Sequence, residues 1–247
     1  MKTIGIVGGV GPYAGLDLAK KIFDQTKASA DQDHLPVSLL SIPHGIADRT
    51  AFLLGKTEEN PGIFIAEVIK QLAAGGAVVV GIPCNTAHAA PIFGEVLRRI
   101  PPEINLLNMI KETAQYLKSQ FPDVKNAGLL ATTGTMKSQV YDAYLPKEDI
   151  QIVRVSEAMQ AQDIHPAIYH QEYGIKARSN PVTDFARNEL IGGIEALIQK
   201  GAQAIILGCT ELPLAFREDH YNGVPLIDPT AILARALIEN FSPAHLK

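Results

Sequence analysis

Two cysteines, Cys84 and Cys209, are the only thiols in the chain, and they stand in similar surroundings. Each comes at the end of a short apolar run that is typical of a buried strand, Ala77–Ile82 for the first and Ala204–Gly208 for the second. The carboxyl end of a strand is where open α/β sheets bind their ligands. A helix that begins there lowers the pKa of a nearby thiol, so both positions favour reactive cysteines over inert ones.

A pair of thiols in equivalent positions suggests proton transfer at carbon. If the two halves of the chain face each other, one thiolate can remove a proton from a carbon acid while the other thiol returns one to the opposite side. That is two-base racemisation, in which acid–base catalysis contributes roughly 10²–10⁴-fold. Without a cofactor as electron sink, donors around the substrate's α-carboxylate must stabilise the carbanion. Thr86 and Thr210 follow the cysteines closely and can cap a helix or donate to such a carboxylate.

Composition excludes several other classes of protein. The chain has 247 residues and a formal net charge of −4 without a basic stripe, which disfavours nucleic-acid binding. No apolar run approaches the roughly 20 residues that a transmembrane helix needs. Two cysteines are too few for a disulfide framework and are expected to be free in a reducing compartment. We therefore predict a cytoplasmic protein with no nucleic-acid or membrane partner.

Short apolar runs alternate with segments of helical period along the whole chain. This alternation predicts the α/β class, with doubly wound, Rossmann-like parallel sheets covered on both faces. The predicted strands are Thr3–Gly8, Val37–Ile42, Ala77–Ile82, Asn105–Leu107, Ala127–Ala131, Gln151–Val155, Ala204–Gly208 and Pro225–Ile227. The predicted helices are Gly15–Lys27, Asn60–Ala74, Thr86–Ile100, Met109–Gln120, Asp184–Lys200 and Pro229–Asn240.

The two halves of the sequence resemble each other. Gly5 and Gly128 lie 123 residues apart in similar first strands, and the two cysteines lie 125 residues apart. A repeat of this length matches one small doubly wound domain. We predict two pseudo-symmetric domains, one formed by residues 1–111 and 215–247 with Cys84, the other by residues 112–214 with Cys209.

Several motifs resemble the aspartate/glutamate racemase family, and most of all its aspartate racemase branch. They are Gly8-Gly9-Val10-Gly11-Pro12, Ala47-Asp48-Arg49-Thr50 with Gly55-Lys56, Pro83-Cys84-Asn85-Thr86-Ala87-His88, Glu172-Tyr173-Gly174-Ile175-Lys176 and Gly208-Cys209-Thr210-Glu211-Leu212-Pro213. The resemblance implies a racemase of an acidic amino acid, needing neither metal nor cofactor, with its active site between two domains. It also implies a homodimer.

The resemblance also implies a role for individual residues. Cys84 and Cys209 correspond to the catalytic thiols, and Arg49 and Lys176 to a basic pair that holds the substrate's side-chain carboxylate. We expect Arg49 in a loop after the second strand, and Lys176 in a glycine-containing loop able to close over the substrate. Groups that hold the α-carboxylate and amine correspond to Asn85, Thr86 and Thr210, with Thr132 and Thr135 as candidates from the second domain.

The residue after the second Cys-Thr departs from the glutamate branch. Glutamate racemases carry histidine there, whereas this chain has Glu211. The difference favours aspartate as the substrate. We expect Glu211 to orient neighbouring side chains or to adjust the pKa values of the thiols.

Other interpretations of the same residues remain open. Gly9 to Ala14 fits the G-x-G-x-x-A pattern of dinucleotide enzymes, but the second strand ends without an acidic residue, and Pro12 removes an N–H from the phosphate cradle. Cys84 and His88 have metal-ligand spacing without a second pair to complete a site. A redox role lacks a Cys-x-x-Cys motif. The alternatives on sequence grounds are a glutamate racemase, a decarboxylase or cis–trans isomerase with similar chemistry, and a non-catalytic binder of acidic amino acids.

Overall fold

The structure is a computed structural model that describes residues 1–247. The chain divides into two compact units, the first formed by Met1–Thr113 and Thr230–Lys247, the second by Ala114–Pro229. Each unit has its own sheet with helices around it, so the α/β class predicted from the alternation of runs is confirmed.

The first unit is built on a four-stranded parallel sheet in the order β2-β1-β3-β4. Its strands are β1 (Thr3–Gly8), β2 (Val37–Ser41), β3 (Ala77–Gly81) and β4 (Asn105–Leu106). The helices of this part of the chain are α1 (Pro12–Gln25), α2 (Arg49–Leu53), α3 (Pro61–Ala74), α4 (Ala90–Arg99) and α5 (Met109–Gln120).

The second unit has a five-stranded sheet in the order β6-β5-β7-β9-β8, parallel except for the last strand. Its strands are β5 (Asn126–Ala131), β6 (Gln151–Val153), β7 (Ala204–Gly208), β8 (His220–Tyr221) and β9 (Val224–Ile227). Its helices are α6 (Thr133–Lys137), α7 (Glu157–Met159), α8 (His165–Tyr169), α9 (Asp184–Gln199) and α10 (Leu212–Ala215), with a π-helical turn (Gln160–Ile164) joining α7 to α8. The chain then returns to the first unit as α11 (Pro229–Phe241).

The second unit extends further toward the C-terminus than the sequence predicted. The prediction stopped it at residue 214, whereas the structure carries it to Pro229. The reason is the pairing of β9 with β7, in which Leu226 lies opposite Ile205. The strand itself was expected, but its partner was not.

Gly5 and Gly128 have the same role in the two units. Each lies in the central strand, β1 or β5, under the helix that crosses back over the sheet, α3 or α9. A Cβ on Gly5 would lie 3.6 Å from Leu72 Cβ, and one on Gly128 would lie 3.1 Å from Leu197 Cβ. Both would also come within 3.0 Å of a neighbouring side chain of the sheet. The repeat seen in the sequence therefore corresponds to one packing arrangement used twice.

Two helices begin more than one residue away from their predicted start, and proline is the reason in both. Helix α1 begins at Pro12 rather than Gly15, since proline is well suited to the first turn. The predicted helix Thr86–Ile100 is divided into a 3₁₀ turn over Asn85–His88 and α4, with extended Ala89 between them. Pro91 lacks an N–H and would clash with the preceding turn of a continuous helix. None of the helices is both long and apolar enough to span a bilayer.

Candidate active site

The two cysteines lie at corresponding places in their sheets. In both sheets the chain winds outward in opposite directions from a central strand, and ligands of such folds bind at the carboxyl ends of the two strands where the direction changes. These strands are β1 and β3 in the first unit, and β5 and β7 in the second. Cys84 follows β3 after two residues, and Cys209 follows β7 at once.

Cys84 begins the 3₁₀ turn that follows β3. Its Sγ lies 3.2 Å from Thr86 Oγ1. Asn85 and Thr86 are both buried within this turn. Thr86 does not cap the turn, because the capping position is held by Cys84 without a side-chain hydrogen bond. The hydroxyl is instead placed beside the sulfur, where it can donate to a thiolate.

His88 forms a hydrogen bond with the backbone of Cys84 within the same 3₁₀ turn. Its Nδ1 lies 2.9 Å from the Cys84 carbonyl oxygen, and its ring stacks on Phe93. Burial lowers the pKa of His88 from 6.5 to about 4, against the carbonyls of Cys84 and Leu107, which raise it. The ring is therefore neutral at pH 7 and donates from Nδ1 to Cys84. His88, which the sequence gave no complete metal site to join, fixes the backbone at Cys84 in this structure.

Arg49 lies in a helix, not in the loop that the sequence predicted. It was expected in a loop, but it is the first residue of α2, where Asp48 caps the helix by accepting from Ala51 N. Its side chain is buried, with Nη2 donating to the Val10 carbonyl and Nη1 to the Ala47 carbonyl at 3.2 Å. Helix α2 contacts the turn that carries Cys84. Arg49 thus ties the glycine-rich β1–α1 loop to the same end of the first sheet.

Cys209, Glu211 and Lys176 form a charged cluster in the second unit. Cys209 Sγ lies 3.0 Å from Glu211 Oε2, and Lys176 Nζ bonds to Glu211 Oε1. Thr210 Oγ1 lies 3.4 Å from Glu211 Oε2, and Lys176 Nζ lies 5.4 Å from the centre of the Tyr169 ring. Only 5% of the Glu211 side chain is exposed, against 24% for Lys176. A buried carboxylate is therefore shared between a thiol and an ammonium group.

The pKa of Cys209 moves in the direction opposite to the sequence expectation. Burial raises the pKa of this thiol well above 9.0, and the negative charge of Glu211 raises it further. Lys176 acts the other way, but more weakly than these two. The helix expected to lower the pKa is α10, which has four residues and begins only at Leu212. Burial and a neighbouring anion outweigh so short a helix.

Thr132 and Thr135 lie beside the Cys209 cluster at the end of β5. The strand pairing sets Ala131 opposite Gly208, so Thr132 and Cys209 follow paired residues. Thr132 caps α6 by accepting from Thr135 N, and the two hydroxyl oxygens lie 3.1 Å apart. Gln160, in the π-helical turn, donates to the Ala131 carbonyl at 3.0 Å. Its contribution has no local sequence signal, because its partner lies 29 residues away.

The predicted residues thus gather at two strand ends, one in each unit. The first holds Cys84, Asn85, Thr86 and Arg49, and the second holds Cys209, Thr210, Lys176, Glu211, Thr132 and Thr135. Each end combines a thiol with hydroxyl donors and a cationic side chain. Such a set can exchange a proton with a carbon acid and hold its carboxylates.

Comparison with known proteins gives the family. The sequence model of the Asp/Glu/Hydantoin racemase family matches residues 7–237. The chain belongs to this family. The resemblance inferred from the motifs is thereby confirmed.

Individual relatives carry two different substrate names. The solved structure of the aspartate racemase of Picrophilus torridus has a TM-score of 0.80 and 33% identity, covering 97% of this chain and 94% of its own. The glutamate racemase of Stutzerimonas stutzeri is 29% identical over 76% of this chain and 69% of its own length. That of Ectopseudomonas mendocina is 32% identical over 69% of this chain and 60% of its own length. The family and its two-domain α/β fold are therefore shown, and the relatives divide between aspartate and glutamate.

Proposed function

We propose that this chain interconverts the enantiomers of an acidic amino acid, aspartate, using Cys84 and Cys209 as the two bases. The observation that carries the proposal is the placement of a thiol at the carboxyl end of an equivalent strand in each unit, β3 and β7. In one direction a thiolate removes the α-proton, and the other thiol donates a proton to the opposite face. In the other direction the roles are exchanged.

The side chains around each thiol support binding of a dicarboxylate. We assign Asn85, Thr86 and Thr210 to the α-carboxylate and amine, with Thr132 and Thr135 beside them. Hydrogen bonds from such donors strengthen as negative charge moves onto the α-carboxylate, and this stabilises the transition state. Arg49 and Lys176 supply positive charge for the side-chain carboxylate. A guanidinium group is well suited to this, because it can bind both carboxylate oxygens.

Aspartate is favoured over glutamate by two observations. The solved structure described above with 97% coverage is an aspartate racemase. The Cys-Thr pair of the second unit is followed by Glu211. The sequence relatives named glutamate racemases are the reason to test both substrates in parallel.

The decisive experiment is incubation of the purified protein with L-aspartate in D₂O under reducing conditions, without added cofactor. Chirality and α-deuteration are followed together, with L-glutamate in a parallel sample. We expect D-aspartate that carries deuterium at the α-carbon. If neither amino acid shows inversion or exchange, the racemase assignment is wrong, and decarboxylation, cis–trans isomerisation and binding without turnover are assayed next with related acids.

Serine substitutions test the two-base mechanism. Cys84→Ser and Cys209→Ser each remove one base, so each variant should lose racemisation. Each should still exchange the α-hydrogen of a single enantiomer in D₂O at a pH high enough to ionise the remaining thiol, because that thiolate reaches only one face. The two variants serve as controls for each other, since they should exchange opposite enantiomers. Substantial racemisation by either variant would contradict the mechanism.

We further propose that the protein works in the cytoplasm as a homodimer. The compartment follows from the need to keep both cysteines reduced, and the dimer from the family resemblance. Light scattering of the purified protein checks the assembly, and a monomer at working concentration would contradict it.

A further inference from the structure

The hydrogen bond between Cys209 and Glu211 has only one possible direction while the carboxylate is ionised. An ionised carboxylate has no proton to donate, so the Cys209 Sγ–H must be the donor across the 3.0 Å that separate the atoms. The bond therefore exists only while Cys209 is a thiol. Loss of its proton would place a thiolate beside a carboxylate in a buried site, where the repulsion is large.

Lys176 keeps that carboxylate ionised. Burial of the Glu211 side chain, which is 5% exposed, would by itself favour the neutral acid. The ammonium group of Lys176 bonds to Glu211 Oε1 and offsets this penalty. Glu211 thus accepts from a cation with one oxygen, and from the thiol and the Thr210 hydroxyl with the other.

Cys84 has different surroundings. The polar side-chain atom beside its sulfur is the Thr86 hydroxyl at 3.2 Å, which can either accept from a thiol or donate to a thiolate. This neighbour accommodates both protonation states of Cys84, whereas the Glu211 carboxylate accommodates only the protonated state of Cys209. The Glu211 backbone N–H lowers the pKa of Cys209, but more weakly than the carboxylate charge raises it.

We propose that Glu211 holds Cys209 as the protonated member of the thiol pair in the substrate-free protein, and so leaves Cys84 to act first as the base. Glu211 is a positioning residue in this scheme, because it acts through Cys209 and Lys176. The catalytic meaning of the proposal rests on the proposed racemisation, but the protonation state itself does not.

Proton balance determines the state of both thiols after one turnover. The α C–H bond breaks, its proton passes to the Cys84 thiolate, and the carbanion takes the proton of Cys209. The protein is then left with a Cys84 thiol and a Cys209 thiolate beside Glu211. Transfer of one proton to Cys209 and release of one from Cys84, through solvent, restores the starting form. The enantiomer whose α-hydrogen faces Cys84 therefore meets a protein already in the required state.

The test is a titration of Cys209 alone. Cys84→Ser leaves a single thiol in the chain, and its ionisation is followed by the ultraviolet absorbance of the thiolate. We expect Glu211→Gln in this background to lower the midpoint by roughly one to three pH units, the range produced by a charge at such a distance. Glu67→Gln is the matched control, because it removes an exposed carboxylate that pairs with Lys70. It should leave the midpoint unchanged.

A second measurement needs no substitution. The unmodified protein is alkylated by a small neutral reagent over a range of pH, and the two cysteine peptides are quantified separately. Each rate is taken relative to its own high-pH plateau, which removes the difference in access. Cys84 should reach half of its plateau at a lower pH than Cys209.

The outcomes separate this inference from the proposed function. A midpoint in Glu211→Gln that stays the same or rises overturns the role of Glu211, and so does a Cys209 that reaches half of its plateau before Cys84. Neither result depends on turnover. Failure to racemise aspartate or glutamate in D₂O would overturn the function while leaving the thiol measurements to decide the protonation state.

Discussion

At the scale of single residues, burial and partner decide what each titratable group does. The pKa of Cys209 is raised by burial and by Glu211, while burial lowers the pKa of His88 to about 4. Both groups are neutral at pH 7 as a result. His88 can then donate to the Cys84 carbonyl without bringing a charge close to that thiol.

His88 makes the folded protein sensitive to mild acid. Its pKa is about 4 in the folded state and about 6.5 when unfolded, so the unfolded chain binds more protons between these values. The stability that depends on a neutral His88 is complete above pH 6.5 and is lost as the pH falls toward 4. We expect the free energy of unfolding to fall by about 1 kcal/mol from this group between roughly pH 7 and pH 5.5.

Urea unfolding at the two pH values measures this effect. His88→Asn keeps an N–H donor without a titrating group, and should lose about 1 kcal/mol of the pH dependence. His44→Asn is the control, because His44 is exposed. An equal pH dependence in the wild type and in His88→Asn would show that His88 does not titrate in this range.

The residue types of the site could be predicted from the sequence, but most of their contacts could not. Cys84 and Cys209 were identified from their position after apolar runs. The bond between Lys176 and Glu211 joins residues 35 apart, and no local pattern indicates it. The pKa of Cys209 is raised first by burial, which depends on how the whole second unit packs, and then by Glu211. A rule based on helix ends takes no account of burial, which is why it gave the wrong sign.

At the scale of elements, the loops at the strand ends depend on backbone geometry. Gly9, in the β1–α1 loop, has φ = 82°, and a Cβ there would lie 2.8 Å from Pro43 N. Gly55 has a similar φ of 70° with nothing within 4 Å of the Cβ position. Substituting each glycine by alanine therefore distinguishes the cost of the left-handed backbone conformation, present at both positions, from the cost of a steric clash, present only at Gly9.

Alanine substitutions at these glycines should differ in their effect on stability. Gly55→Ala should reduce the free energy of unfolding by about 1 kcal/mol, the approximate cost of the left-handed conformation. Gly9→Ala adds a clash with backbone atoms, and should cost at least about 1 kcal/mol more. Urea titration of both variants is the measurement. Equal losses would mean that the β1–α1 loop moves freely to accept a side chain.

Apolar strands and long helices could be predicted from their patterns, and the shortest helices could not. Thr3–Gly8, Ala204–Gly208 and Met109–Gln120 were expected with the bounds that the structure has. Helices of four or five residues, such as α2 and α10, are too short to show a helical period. Because α2 was missed, Arg49 was placed in a loop.

At the scale of the whole molecule, the sequence repeat predicted two domains, but not where the second one ends. The predicted boundary followed the Cys209 motif, whereas the second sheet gains β9 after it. Strand pairing is a contact between distant segments, so the repeat alone does not indicate it. The division of the chain into two units also means that the proposed mechanism draws one thiol from each.

Ligand protection tests whether one substrate engages both units. If both thiols serve one substrate, saturating aspartate should slow alkylation of the Cys84 and Cys209 peptides together. L-asparagine is the matched control, because it has the same shape without the side-chain carboxylate, and should protect neither peptide. Protection of a single cysteine by aspartate would contradict a shared substrate.

The paired glycines under α3 and α9 have a consequence for any large mutational survey of this protein. Every side chain placed at Gly5 or Gly128 meets neighbouring side chains within 3.0 Å. A screen that scores only turnover will therefore find that nearly every substitution at these two positions, 123 residues apart, is inactive. Substitutions of Cys84 and Cys209 will give the same result. Abundance of the folded variants will distinguish them, since cysteine variants should accumulate normally and the glycine variants should not.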